Sequence, residues 1–184
     1  IREVSLASGN IVEDMQLTID LILAGHTTLF CPTARVTGVL ASSEKAAKSQ
    51  RTRWEHGHLQ TILTQAPRLL KEFVRQGDFK LLIVALDILI PPLSLLIMAW
   101  LATTVIAWLL AMGVGASLIP AKILTLIGCC LGATIFLIWL VFGRSDLPLK
   151  NLVAIPLYIL SKIPIYLKFL IQPQNKWMRT ERDR

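Results

Sequence analysis

Three side chains of one short segment, Gln50-Arg51-Thr52-Arg53-Trp54, have types and spacing suited to holding a ligand. On a helix Gln50, Arg53 and Trp54 fall at i, i+3 and i+4, so an amide, a guanidinium and an indole share one face. Ala46, Ala47 and Gly57 keep that face shallow, which lets a ligand or a backbone approach closely. The alternative is a solvated basic helix with one tryptophan packed inward. A second candidate is the carboxylate pair Glu13-Asp14, which is either an acidic first turn favoured by the helix dipole or a pair available for chemistry. His56 and His58 flank Gly57, but residues two apart on a helix point about 200° away from each other and cannot chelate one ion. Cys31, Cys129 and Cys130 make no metal-ligand spacing and read as small buried hydrophobes in a reducing setting. No metal site is therefore expected from the residues of this chain.

These groups need elements to carry them. Leu17, Leu21 and Ala24 recur at helical spacing behind Glu13 and Asp14, and Gly25 stands where a left-handed stop is wanted, so residues 13–25 are predicted helical. Thr27-Thr28-Leu29-Phe30-Cys31 is β-branched and aromatic and is ended by Pro32, which predicts a short strand; residues 35–40, with Gly38 inside, predict another. Ser42-Ser43 supplies an N-cap for a long helix from Glu44 to about Thr64 that carries the Gln50–Trp54 segment. Pro67 opens a further helix. There Leu69, Leu70, Phe73 and Val74 form an apolar stripe opposite Arg68, Lys71, Glu72 and Arg75, the pattern of a helix in the membrane interface and equally of a soluble core helix.

A bilayer enters because 54% of the 184 residues are hydrophobic and the mean hydropathy is +0.60, too apolar for a soluble domain. Residues 93–112 and 123–142 are uncharged runs long enough to cross a hydrocarbon core of ~30 Å, and they predict a transmembrane hairpin. Upstream, residues 81–90 are interrupted by Asp87 and stopped by Pro91-Pro92; Asp87 is either a functional intramembrane carboxylate or faces water from an interfacial helix. Residues 149–171 hold Lys150, Lys162 and Lys168, are punctuated by Pro156 and Pro164, and place Tyr158, Lys162 and Tyr166 on one face. They are expected to lie along or dip into the inner leaflet.

Nineteen Lys and Arg against twelve Asp and Glu give +7, concentrated beside the apolar runs, which suits anionic lipid headgroups. Nucleic acid is not expected, since no soluble stretch interleaves basic and aromatic residues. Arg68, Lys71, Arg75 and Lys80 precede the hairpin, and Arg144, Lys150, Lys176, Arg179, Arg182 and Arg184 follow it, whereas the loop between holds only Lys122. If positive residues stay inside, the hairpin runs out and back with both flanks cytoplasmic. The tail Trp177-Met178-Arg179-Thr180 either folds back towards the site or serves as a basic anchor.

Together, Ile11-Val12-Glu13-Asp14-Met15-Gln16-Leu17, then Gly25-His26, then Gln50-Arg51-Thr52-Arg53-Trp54 followed by apolar helices, the chain resembles the C-terminal portion of a membrane-bound family 2 glycosyltransferase. Cellulose, hyaluronan, chitin and poly-N-acetylglucosamine synthases belong to that family. Each motif alone is weak; their order and spacing are the specific part. The resemblance implies an α/β, GT-A-like catalytic domain, here incomplete, over residues 1–66. Interfacial helices (67–92), the transmembrane hairpin (93–142) and an interfacial or re-entrant helix with a basic tail (143–184) then follow.

The resemblance further implies inverting transfer of a sugar from a nucleotide sugar to a saccharide or lipid-linked acceptor at the cytoplasmic face of the inner membrane. By it Asp14 is the general base, with Glu13 beside it; Gln50 and Arg53, assisted by Arg51, hold the donor diphosphate; Trp54 stacks on the acceptor sugar. A divalent cation, Mg or Mn, accompanies the donor in that family, held by an Asp-x-Asp type element that this sequence lacks. The nucleotide-binding N-terminal half is thus expected to be a missing partner, and the chain inactive alone. The rival expectation is a non-enzymatic scaffold or channel-like subunit whose basic cytoplasmic part binds lipid.

Overall fold

The structure is a computed structural model and describes residue 4, residues 11–38 and residues 43–173. Every regular element among the described residues is helical. They fall into two compact units, one formed by Ile1–Pro92 together with Ile165–Arg184, the other by Leu93–Pro164.

In the first unit, α1 (Glu13–Leu23) has Glu13 and Asp14 in its first turn, as the sequence predicts. It stops at Gly25 (φ 84°), where the Gly25 N–H bonds to the Ile22 carbonyl and the His26 N–H to the Leu21 carbonyl. This doubly bonded ending needs the left-handed residue that glycine supplies. The buried face differs from the predicted one: Gln16, Ile19 and Ile22 point inward, while Leu17 and Leu21 are only half-buried and Ala24 is exposed. Both stripes have helical spacing, and β-branched Ile19 and Ile22 win the core.

α2 (Glu44–Gln76) is capped by the Ser43 hydroxyl, which accepts from the Ala46 N–H at 3.2 Å, and is closed by Gly77 at φ 69°. The expected break near Thr64 and fresh start at Pro67 do not occur; the helix runs through Pro67. Proline removes the bond to the carbonyl of Leu63, but Leu63 and Pro67 are both exposed, so water can solvate that oxygen. Meanwhile Ala66 and Leu69, fully buried beside Pro67, hold the helix to one axis. α3 (Phe79–Ile88), capped by Asp78, closes the core: Ile19 and Ile22 of α1, Ala66 and Leu69 of α2, and Leu81, Ala85 and Ile88 of α3 pack together. Asp87 lies on the exposed side of α3.

The expected α/β character is overturned. Thr27 to Cys31 form no strand, and neither do the described residues of 35–40; both are coil, with Leu29 87%, Phe30 92% and Val36 98% exposed. A strand satisfies its backbone through a neighbour's N–H and C=O groups, and no described segment supplies one. β-Propensity without a partner does not make a sheet. Residues 39 and 40 and the tail residues Lys176, Trp177, Met178, Arg179, Thr180, Arg182 and Arg184 lie outside the described residues.

The second unit contains the hairpin. α4 (Leu93–Gly113) matches the predicted span, and α5 (Ile119–Ile138) starts earlier than predicted because Pro120 is tolerated at a helix start. Lys122, expected in the loop, therefore lies in the first turn of α5. The pair is locked by tryptophans: Trp100 Nε1 donates to the Leu124 carbonyl at 2.8 Å and Trp108 Nε1 to Thr125 Oγ1 at 3.1 Å. The Trp100 ring lies over Gly128. A π-helical turn, Trp139–Gly143, follows. Three segments have the length and composition to cross a membrane, Leu93–Gly113, Ile119–Gly143 and Leu149–Ile171. The third is broken into α6 (Leu149–Leu152), α7 (Ile155–Leu160) and α8 (Ile163–Ile171), with Pro156 and Pro164 each second in its helix.

Candidate functional site

Gln50, Arg51 and Arg53 are half-buried on α2 and Trp54 is 52% exposed, so an indole face stands in solvent next to a partly shielded guanidinium. Arg53 Nε is shielded from solvent and makes no hydrogen bond among the described residues. A guanidinium keeps its donors in a fixed fork that matches an anion such as a diphosphate. Arg51 makes further interactions within the fold.

Gly57 brings the carboxylate pair into this neighbourhood. A β-carbon there would stand 2.7 Å from Val12 Cγ1, 3.2 Å from Val12 Cγ2 and 3.4 Å from Ile11 Cγ2. The shallow place on α2 is thus filled by the residues leading into α1, where the sequence suggested room for a ligand or a backbone. Val12 immediately precedes Glu13 and Asp14, and Gly57 lies three and four residues after Trp54 and Arg53, one helical turn away. Glu13 and Asp14 are exposed, and Asp14 is engaged through its carbonyl, which accepts from Thr18 Oγ1 at 3.1 Å. The two sequence motifs therefore belong to one region of one unit, each held by a helix: the carboxylates by the first turn of α1, the amide, guanidinium and indole by α2.

His56, which its spacing from His58 set aside as a metal ligand, and its neighbour Glu55 are both deeply placed here. Glu55 and His56 are buried, like Gly57 after them. Tyr166 Oη donates to Glu55 Oε2 at 2.7 Å. His56 Nε2 lies 2.8 Å from the Ile165 carbonyl, which can only accept, so that nitrogen carries the hydrogen. The ring of Phe169 meets His56 edge-on at 5.3 Å. The available signal was Tyr166 itself: one of only two tyrosines, placed in an apolar run, its hydroxyl needs a polar partner. His58 is half-buried. Among the described residues no three His, Cys, Asp or Glu side chains gather as a metal would require. No protein-family model, no curated protein and no solved structure matches the chain.

Proposed function

We propose that the chain carries the acceptor-side part of a membrane-bound glycosyltransferase, which moves a sugar with inversion from a nucleotide sugar to a saccharide or lipid-linked acceptor. The observation that supports this reading is the seat of Val12, the residue before Glu13, on Gly57, which follows Trp54 by three residues and Arg53 by four. A base, an anion clasp and an aromatic platform within one region are what such a displacement needs. The exposed Asp14 carboxylate takes the proton of the acceptor hydroxyl as its oxygen attacks the anomeric carbon. The bond from that carbon to the diphosphate breaks on the opposite side. Arg53 and Gln50, with Arg51 near them, receive the charge that develops on the departing diphosphate. Trp54, half in solvent, offers its face to the C–H face of the acceptor ring.

Among the described residues no three His, Cys, Asp or Glu side chains gather as a divalent cation would require. The apolar segments fit an integral membrane protein. We place the site on the cytoplasmic face, because Arg68, Lys71, Arg75 and Lys80 on one side of the hairpin and Arg144 and Lys150 on the other favour the inner side.

The test uses the protein in the membranes that express it. A labelled nucleoside diphosphate should bind, and Arg53→Lys, which keeps the charge but loses the fork, should weaken binding about tenfold to a hundredfold. Equal binding by the variant would contradict the diphosphate role. A scaffold would bind none.

A further inference from the structure

The reach of α2 poses a mechanical question. Its core contacts with α1 and α3 centre on Ala66 and Leu69, and Arg53 lies thirteen residues before Ala66, about 20 Å along the axis at the helical rise. A helix gripped only there would carry Gln50, Arg53 and Trp54 on an overhanging end. Glu55, His56 and Gly57 are buried in succession, which covers about 200° of the circumference, more than a single packing partner explains. Two segments do the covering. Ile11 and Val12 sit on Gly57, and Ile165, Tyr166 and Phe169 of α8, in the same compact unit, take Glu55 and His56.

We infer that Glu55, His56 and Tyr166 are positioning residues, a two-bond clamp by which the end of the last apolar segment sets the aim of Gln50, Arg53 and Trp54. The inference rests on the reading of those three as ligand-holding and adds what holds them. Two adjacent residues of α8 bond to two adjacent residues of α2: the Tyr166 hydroxyl to the Glu55 carboxylate, and the Ile165 carbonyl to the His56 ring. Apolar packing alone tolerates sliding and rotation; this pair does not. Moving α8 by one residue, or turning α2 by one position, breaks both bonds together. Glu55 adjoins Trp54, and His56 follows Arg53 by three, so the fixed register passes to the site within one turn. A buried carboxylate is otherwise costly in such a place, and the phenol supplies a hydrogen bond that offsets that cost.

The experiment is hydrogen–deuterium exchange on the full chain reconstituted in lipid vesicles, comparing the native sequence with Tyr166→Phe, His56→Leu, His56→Gln and the remote control Tyr158→Phe. Tyr166→Phe and His56→Leu should speed exchange of amides 50–58 about tenfold, the loss expected for a hydrogen bond to a charged or buried partner. The core amides of 66–88 should stay unchanged. His56→Gln, which can still present an N–H to the Ile165 carbonyl, should restore most of the protection, and Tyr158→Phe should change nothing. Unaltered exchange at 50–58 in both deleting variants would overturn the clamp, as would acceleration spread equally over 66–88, which marks a general loss of stability. The same samples are assayed for diphosphate binding. Local loosening in a chain that binds no diphosphate leaves the clamp standing and contradicts the diphosphate role proposed for Gln50 and Arg53.

Discussion

Val12 sits so closely on Gly57 that a β-carbon at residue 57 would stand 2.7 Å from its Cγ1. Val12 has a short, branched side chain that cannot swing aside, so Gly57→Ala sets two effects against each other. Alanine gains roughly 1 kcal/mol of helix propensity. Overpacking costs about 1–3 kcal/mol. The net expectation is a loss of up to about 2 kcal/mol, with the Glu13-Asp14 turn pushed off α2. Adding Val12→Ala should recover much of the loss, and thermal unfolding of the single and double variants in detergent measures this coupling. A Gly57→Ala protein stabilised by the roughly 1 kcal/mol of helix propensity would show that Val12 is not seated there.

The hairpin has a similar close approach. The Trp100 indole covers Gly128, and its Nε1 bonds to the Leu124 carbonyl on the neighbouring helix. Gly128→Ala should expel the ring and lose that bond, destabilising the α4–α5 pair by about 1–3 kcal/mol. The expected signs are weaker resistance of the hairpin to denaturing detergent and an altered tryptophan emission. Gly132, one turn further on, has open space at the β-carbon, so Gly132→Ala is the matched control and should be no less resistant than the native chain.

Cysteine chemistry separates the exposed segment from the bilayer. Cys31 lies in exposed coil, and its thiol titrates below the usual range, chiefly because of the Thr33 hydroxyl 3.3 Å away, with the backbone N–H groups of Ala34 and Thr33 adding to it. A lowered value means more thiolate at neutral pH, hence faster alkylation. In sealed vesicles with the cytoplasmic side outward, a membrane-impermeant maleimide should label Cys31 readily. Cys129 and Cys130, inside α5, should react only after the membrane is dissolved. Labelling of all three at equal rates in sealed vesicles would contradict the membrane placement of α5.

The features that local chemistry controls were legible in the sequence. Gly25 ends α1 in a left-handed turn, Ser43 caps α2, and the uncharged runs become α4 and α5. Features decided by distant partners were not. Thr27 to Cys31 have strand propensity but no described neighbour to pair with, Pro67 is overruled by the packing of Ala66 and Leu69, and Ile19 and Ile22 displace the equally periodic Leu17 and Leu21. Within the site, the share that each residue type can claim on its own was readable: carboxylates opening one helix, an amide, a guanidinium and an indole along another. The use of Gly57 as the seat of Val12 was not. Nor was the burial of Glu55 and His56 by α8, more than a hundred residues away, for which helical periodicity carries no signal.

The central claim is that Asp14 and the Gln50–Trp54 face serve one sugar transfer, and the most direct test is turnover itself. Membranes carrying the chain together with the nucleotide-binding part that this reading requires are incubated with a panel of labelled nucleotide sugars, and incorporation into saccharide or lipid-linked product is compared with that of Asp14→Asn. The account predicts incorporation from at least one donor by the native protein. It predicts a fall of about a hundredfold or more in Asp14→Asn, the scale of a lost general base, with membrane insertion unchanged. Unchanged turnover in Asp14→Asn would contradict it.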